Sequence, residues 1–110
     1  MKNLIREAGP VAEAFRAMTK VIDESSPLDV RTKELILLGI FTANRALRGI
    51  DTHVRIAVEN GVSRKEIVSA IVYAMPIVGI TNVTLCLEKA LQVVDETNGK
   101  LEVYSHGQGE

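Results

Sequence analysis

The 110-residue chain carries 13 Lys and Arg against 14 Asp and Glu, a net charge of −1, with 46% apolar and 25% charged residues. That composition belongs to a globular chain and excludes intrinsic disorder; the length fits a single domain over 1–110. The balanced charge, with no basic stripe, leaves no footprint for nucleic acid or for an anionic membrane surface.

No apolar run approaches the roughly 20 residues that a bilayer helix needs. The run at 35–41 is short, and the stretch 67–80 is interrupted by Ser69 and Pro76. The N-terminus lacks the apolar core and cleavage site of a secretory signal, so a cytoplasmic protein is expected. Cys86 is the single cysteine. It excludes an internal disulfide, a Cys-x-x-Cys pair and a Cys-rich zinc site.

The apolar residues recur at helical spacing, with no useful β-alternation and no internal repeat. Pro10 suits the first turn of a helix, and Val11, Phe15, Met18 and Ile22 then form one apolar stripe. Ser25-Ser26-Pro27 ends it. Asp29 is an N-cap for a second helix to about Arg45. Its middle, 35–41, is apolar on every face, which predicts burial all round and, in so short a chain, a second subunit to complete it. Gly39 would let another backbone approach. The pattern breaks at Arg48-Gly49-Ile50, and Asp51 or Thr52 caps a third helix to about Glu59. Asn60-Gly61 stops that helix. Ser63-Arg64-Lys65-Glu66 is a capping box for a fourth, with Ile67, Ala70, Ile71 and Ala74 inward and Pro76 at its end. A fifth begins near Thr81 or Asn82, turns Val83, Cys86, Leu87, Ala90, Leu91 and Val94 inward, and stops at Asn98-Gly99. The tail 100–110 is expected to be partly flexible. The fold class predicted is all-α, with about five helices.

There is no phosphate-binding glycine loop, no His-Glu-x-x-His and no acidic calcium loop, so neither metal nor cofactor is expected. Cys86, mid-helix among apolar neighbours, reads as a buried inert thiol. His53 points toward the apolar side of its helix. It is either a core histidine satisfied by one hydrogen bond or a general acid/base, since imidazole titrates near neutrality. Glu34 shares a helical row with Leu38, Phe41 and Arg45. It is a surface carboxylate or, if its helix runs antiparallel to the next, a partner for His53. Arg45, Arg48, Asp51 and Arg55 cluster near the intervening loop. They are solvated charges or, for the arginines, an anion clamp. Arg55, two positions from His53, points to a different side of the helix.

Three stretches then resemble the carboxymuconolactone decarboxylase family: Leu28-Asp29-Val30-Arg31-Thr32-Lys33-Glu34-Leu35-Ile36, Thr52-His53-Val54-Arg55, and Glu59-Asn60-Gly61-Val62-Ser63-Arg64-Lys65-Glu66-Ile67. The resemblance runs over about 10–97. It implies the all-helical fold shared with the alkylhydroperoxidase AhpD, and assembly as trimers or hexamers. In the redox branch a Cys-x-x-Cys motif precedes the histidine, and an upstream Glu relays protons through it. Glu34 and His53 match that Glu and histidine, but the two cysteine positions fall on Ala46 and Gly49, which disfavours thiol peroxidase chemistry.

The cysteine-free decarboxylase branch acts on a carboxylated lactone. Its pattern implies His53 as the acid, Glu34 as its orienting partner, and Arg45, Arg48 or Arg55 as holders of substrate carboxylates. That branch does not normally carry the Glu, and it has acidic residues where this chain has Leu47 and Gly49. The chain therefore combines the Glu–His pair of one branch with the cysteine-free loop of the other. Two functions follow: a cofactor-free lyase acting on a small carboxylated lactone or related acid, or a non-catalytic oligomeric binding or scaffold member.

Overall fold

The computed structural model describes residues 1–108, and side chains as far as residue 101. Among these the chain forms seven helices and no strand: α1 (Lys2–Glu7), α2 (Gly9–Ser25), α3 (Val30–Ala43), α4 (Leu47–Glu59), α5 (Arg64–Val72), α6 (Met75–Val78) and α7 (Ile80–Gln108). The all-α expectation holds, and two short helices, α1 and α6, join the five read from periodicity.

Local chemistry sets the boundaries. The Asp29 carboxylate accepts from the Thr32 backbone N–H at 2.8 Å and opens α3. Ser63 and Glu66 form the reciprocal capping box of α5: Glu66 N–H donates to Ser63 Oγ at 3.1 Å, and Ser63 N–H to Glu66 Oε1 at 2.9 Å. These hydrogen bonds hold the Asp29 and Glu66 carboxyls below their ordinary pKa values, in each case chiefly through the backbone N–H of the capped turn.

Both ends of the α3–α4 pair close in the same way. After α4, Val62 N–H reaches Ala57 O and Gly61 N–H reaches Val58 O, with Gly61 at φ 83°. After α3, Ala46 N–H reaches Phe41 O and Arg45 N–H reaches Thr42 O. This is the Schellman pattern, which needs a left-handed residue. At the second site that residue is Arg45, at φ 52°, the one non-glycine residue with positive φ among the described residues.

Several boundaries differ from the sequence reading. α3 stops at Ala43, two residues short of Arg45. α4 starts at Leu47 and runs through the supposed break at 48–50, so neither Asp51 nor Thr52 caps it, and Ala46 stands at the N-cap without a side-chain bond. The glycine is there for packing: a Cβ at Gly49 would lie 2.5 Å from the Phe41 ring. α5 ends at Val72, before Pro76 is reached, and Pro76 sits in the first turn of the next helix, α6. α7 passes through Asn98-Gly99, because a single glycine costs only about 1 kcal/mol in a helix. The helix includes most of the tail expected to be flexible; residues 109–110 lie outside the described residues.

The core is built by α3, α4, α5 and α7 around Leu38, Ile50, Val54, Ile67, Ile71, Val83, Cys86, Val93 and Val94. α3 and α4 pack back to back, so residue 41 meets 49 and residue 34 meets 53. The outer face of α3 is open in the single chain, with Ile36 and Ile40 about half exposed; this is the face whose burial was expected to need a second subunit. α2 differs more. It packs mainly on α1 and buries only Ala12, while Val11, Phe15, Met18 and Ile22 stay 50–59% exposed. The radius of gyration is 15.8 Å, against about 13 Å for a compact chain of this length, as expected when helices stand off the body. No helix among the described residues is long and apolar enough to cross a membrane.

Candidate active site

Glu34 lies in the second turn of α3, on the face turned toward α4, and is 1% exposed. His53 lies in the second turn of α4, one turn later than expected, because the helix begins at Leu47. Its Nδ1 stands 2.8 Å from Glu34 Oε2 and 3.0 Å from Oε1. With Glu34 ionised its carboxylate only accepts, and Nδ1 then carries the hydrogen and donates it. In neutral His53 the free lone pair is then on Nε2. The histidine side chain is 23% exposed and that of Glu34 1%, so the pair is dry at the carboxylate and partly open at the imidazole.

Phe41 completes the pair. Its ring centroid is 5.0 Å from that of His53 at 37°, and its ring fills the space above Gly49. Phe41 thus packs the imidazole and fills the volume that a side chain at residue 49 would need. The residue matching a redox cysteine is glycine here, and the neighbouring phenyl ring leaves no room for sulfur without moving. Ala46, the other matching position, is the N-cap of α4.

The arginines are placed less simply. Arg45 Nε donates to Asn82 Oδ1 at 3.1 Å, while Asn82 Nδ2 donates to Ala43 O at 3.4 Å. Asn82 therefore ties the strained α3–α4 turn to α7. Arg55 Nη2 pairs with Asp51 Oδ1 at 2.6 Å one turn back on α4, on the exposed surface, in keeping with its expected divergence from His53. Arg48 is exposed. Cys86 is fully buried beside Thr42, and burial pushes its thiol pKa up against the weaker opposing influence of Thr42 and the Arg45 charge. That is the inert thiol read from the sequence. Thr42 is itself buried and donates to Leu38 O at 2.7 Å.

Sequence reasoning missed Phe41, Asn82 and the left-handed Arg45. A signal existed for the first: a glycine inside an otherwise helical stretch can mark close packing. None existed for Asn82, whose partners come from across the fold.

The fold and site define an all-helical protein that sets a buried carboxylate against an imidazole, without a cysteine pair beside them. The sequence matches the carboxymuconolactone decarboxylase family over residues 9–92, and the chain belongs to that family. No curated protein and no solved structure matches it.

Proposed function

We propose that the protein is a carboxymuconolactone decarboxylase-like lyase, acting on a small carboxylated lactone or a related acid by proton transfer through His53. The observation that carries this reading is the Nδ1–Glu34 contact at 2.8 Å with its carboxylate buried. A buried carboxylate fixes one tautomer and orientation of the ring and stabilises the imidazolium. When CO2 leaves such a lactone, the C–C bonding pair passes into the conjugated carbonyl, giving a dienolate. Protonation at carbon by imidazolium Nε2–H returns the electrons to a C–H bond and leaves neutral His53. Glu34 is the positioning residue, since it acts through the ring.

Arg45 is the first candidate for holding a substrate carboxylate, Arg48 and Arg55 the others. Arg45 is held in a left-handed conformation that costs a non-glycine residue about 1–2 kcal/mol, and such strain is concentrated at functional positions. The same reading places the protein in the cytoplasm as a homo-oligomer, trimeric or hexameric, and supposes neither metal nor cofactor.

The test is CO2 release from carboxymuconolactone. His53→Ala is expected to lose about 10²–10⁴-fold in kcat. Glu34→Gln is expected to retain more activity and to shift the pH profile. Equal turnover by wild type and His53→Ala would remove His53 from the reaction.

A second reading, a non-catalytic oligomeric binding or scaffold member, draws on a different observation. Two adjoining grooves lie along the outer face of α3, and neither is lined by His53 or Glu34.

A further inference from the structure

Among the described residues, two of the uncovered apolar surfaces are a helical stripe and a groove. The first is the stripe on α2, from Val11 through Phe15 and Met18 to Ile22, about 16 Å long at 1.5 Å per residue. The second is a pair of adjoining grooves of about 430 and 330 Å³ between α3 and the α5–α6 segment. Its walls are Leu35, Ile36, Ile40 and Tyr73, and its floor is the small residues Gly39 and Ala70. From Leu35 to Ala43 the α3 wall runs about 12 Å.

We infer that the stripe of α2 docks in the α3–α5 groove of a second copy of this chain. The inference rests on the self-association proposed above and assigns the surfaces that make it. Three observations favour this occupant. A floor of glycine and alanine admits a helix closely, and a Cβ on Gly39 would still lie 3.7 Å from Ala70 O. The groove offers little to orient a small polar ligand: the carboxylate of Glu66, at its edge, is taken by Arg31 Nη2 at 2.7 and 2.8 Å and by Ser63 N–H, whereas small-molecule sites converge several polar groups on the ligand. The chain's own α2 is held elsewhere, its C-terminal end tied to α3 by Asp23 Oδ1–Lys33 Nζ at 3.0 Å and its direction fixed by the short link 26–29.

Area points to exchange. A stable interface buries roughly 800 Å² per partner. A single helical stripe on a groove this short falls below that, so each copy gives one arm and receives another. A stripe meeting a different surface is a heterologous contact, which closes into a ring or a reciprocal dimer.

The experiment is light scattering on the full-length protein and two variants, Phe15→Asp/Met18→Asp in the arm and Ile36→Asp/Tyr73→Asp in the groove. All four side chains are 47–79% exposed in the single chain. Wild type is expected to exceed 12.0 kDa, and each variant alone to fall to it. An equimolar mixture restores one arm–groove contact of the two, so it should rise above 12.0 kDa only at higher concentration than wild type needs. Should a variant lose its helical circular dichroism, Phe15→Ser and Ile36→Ser carry the same test.

A monomeric wild type would overturn both the self-association and the docking. An arm variant that keeps the wild-type mass would leave self-association standing and sink the arm assignment. Folded variants that are monomeric alone and, mixed, stay at 12.0 kDa at every concentration would show arms packing on arms, and also overturn it.

Discussion

α2 and α3 are both amphipathic helices read from the same kind of spacing, and they end in opposite circumstances. α3 sends Glu34, Leu38 and Thr42 into the core of its own chain. α2 sends only Ala12 inward and leaves its larger apolar side chains in the open. Hydrophobic period says which face of a helix avoids water. It does not say which molecule covers that face.

Substitutions on the two helices should separate this most strongly. Leu38→Ala, at a fully buried position, is expected to cost about 2–5 kcal/mol. Phe15→Ala, half exposed, should change stability by less than about 0.5 kcal/mol when the chain is dilute enough to be monomeric. Denaturant titrations across a protein concentration series check both. An equal cost at both positions at low concentration would place α2 on its own core.

Gly49→Cys comes next. The new side chain must displace the Phe41 ring, so a loss of about 1–3 kcal/mol is expected, together with a change in the His53 ring resonances. Gly99→Ala, with no atom near its Cβ, is the control and should stabilise slightly.

The smallest effect is in acid. Asp29 and Glu66 have lowered folded pKa values, so their caps contribute fully above the ordinary carboxylate values. That contribution is lost as pH falls through the lowered folded values, below about pH 4. The urea midpoint of wild type should fall there, and by less in Asp29→Asn. An Asp29→Asn slope equal to wild type would remove Asp29 from the acid response.

Much of this was legible in the chain. Asp29, Asn60-Gly61 and Ser63–Glu66 announce their helix ends because caps are local chemistry. The Glu34–His53 contact required only that α3 and α4 be antiparallel, which a short connection favours. The errors lie where long-range packing decides. Gly49 reads as a break until Phe41 is seen above it. Asn98-Gly99 reads as a stop, yet α7 continues. Arg45 carries no mark of its left-handed backbone, since the Schellman geometry and the Asn82 tie that hold it come from the assembled fold.

The central claim is that a buried carboxylate holds His53 with hydrogen on Nδ1 and leaves Nε2 to move protons. Nitrogen-15 NMR of the imidazole tests it most directly. In the neutral form the account predicts a protonated Nδ1 and a bare Nε2, with this preference lost in Glu34→Leu. A wild-type ring protonated on Nε2, or divided between tautomers as in a free histidine, would contradict it.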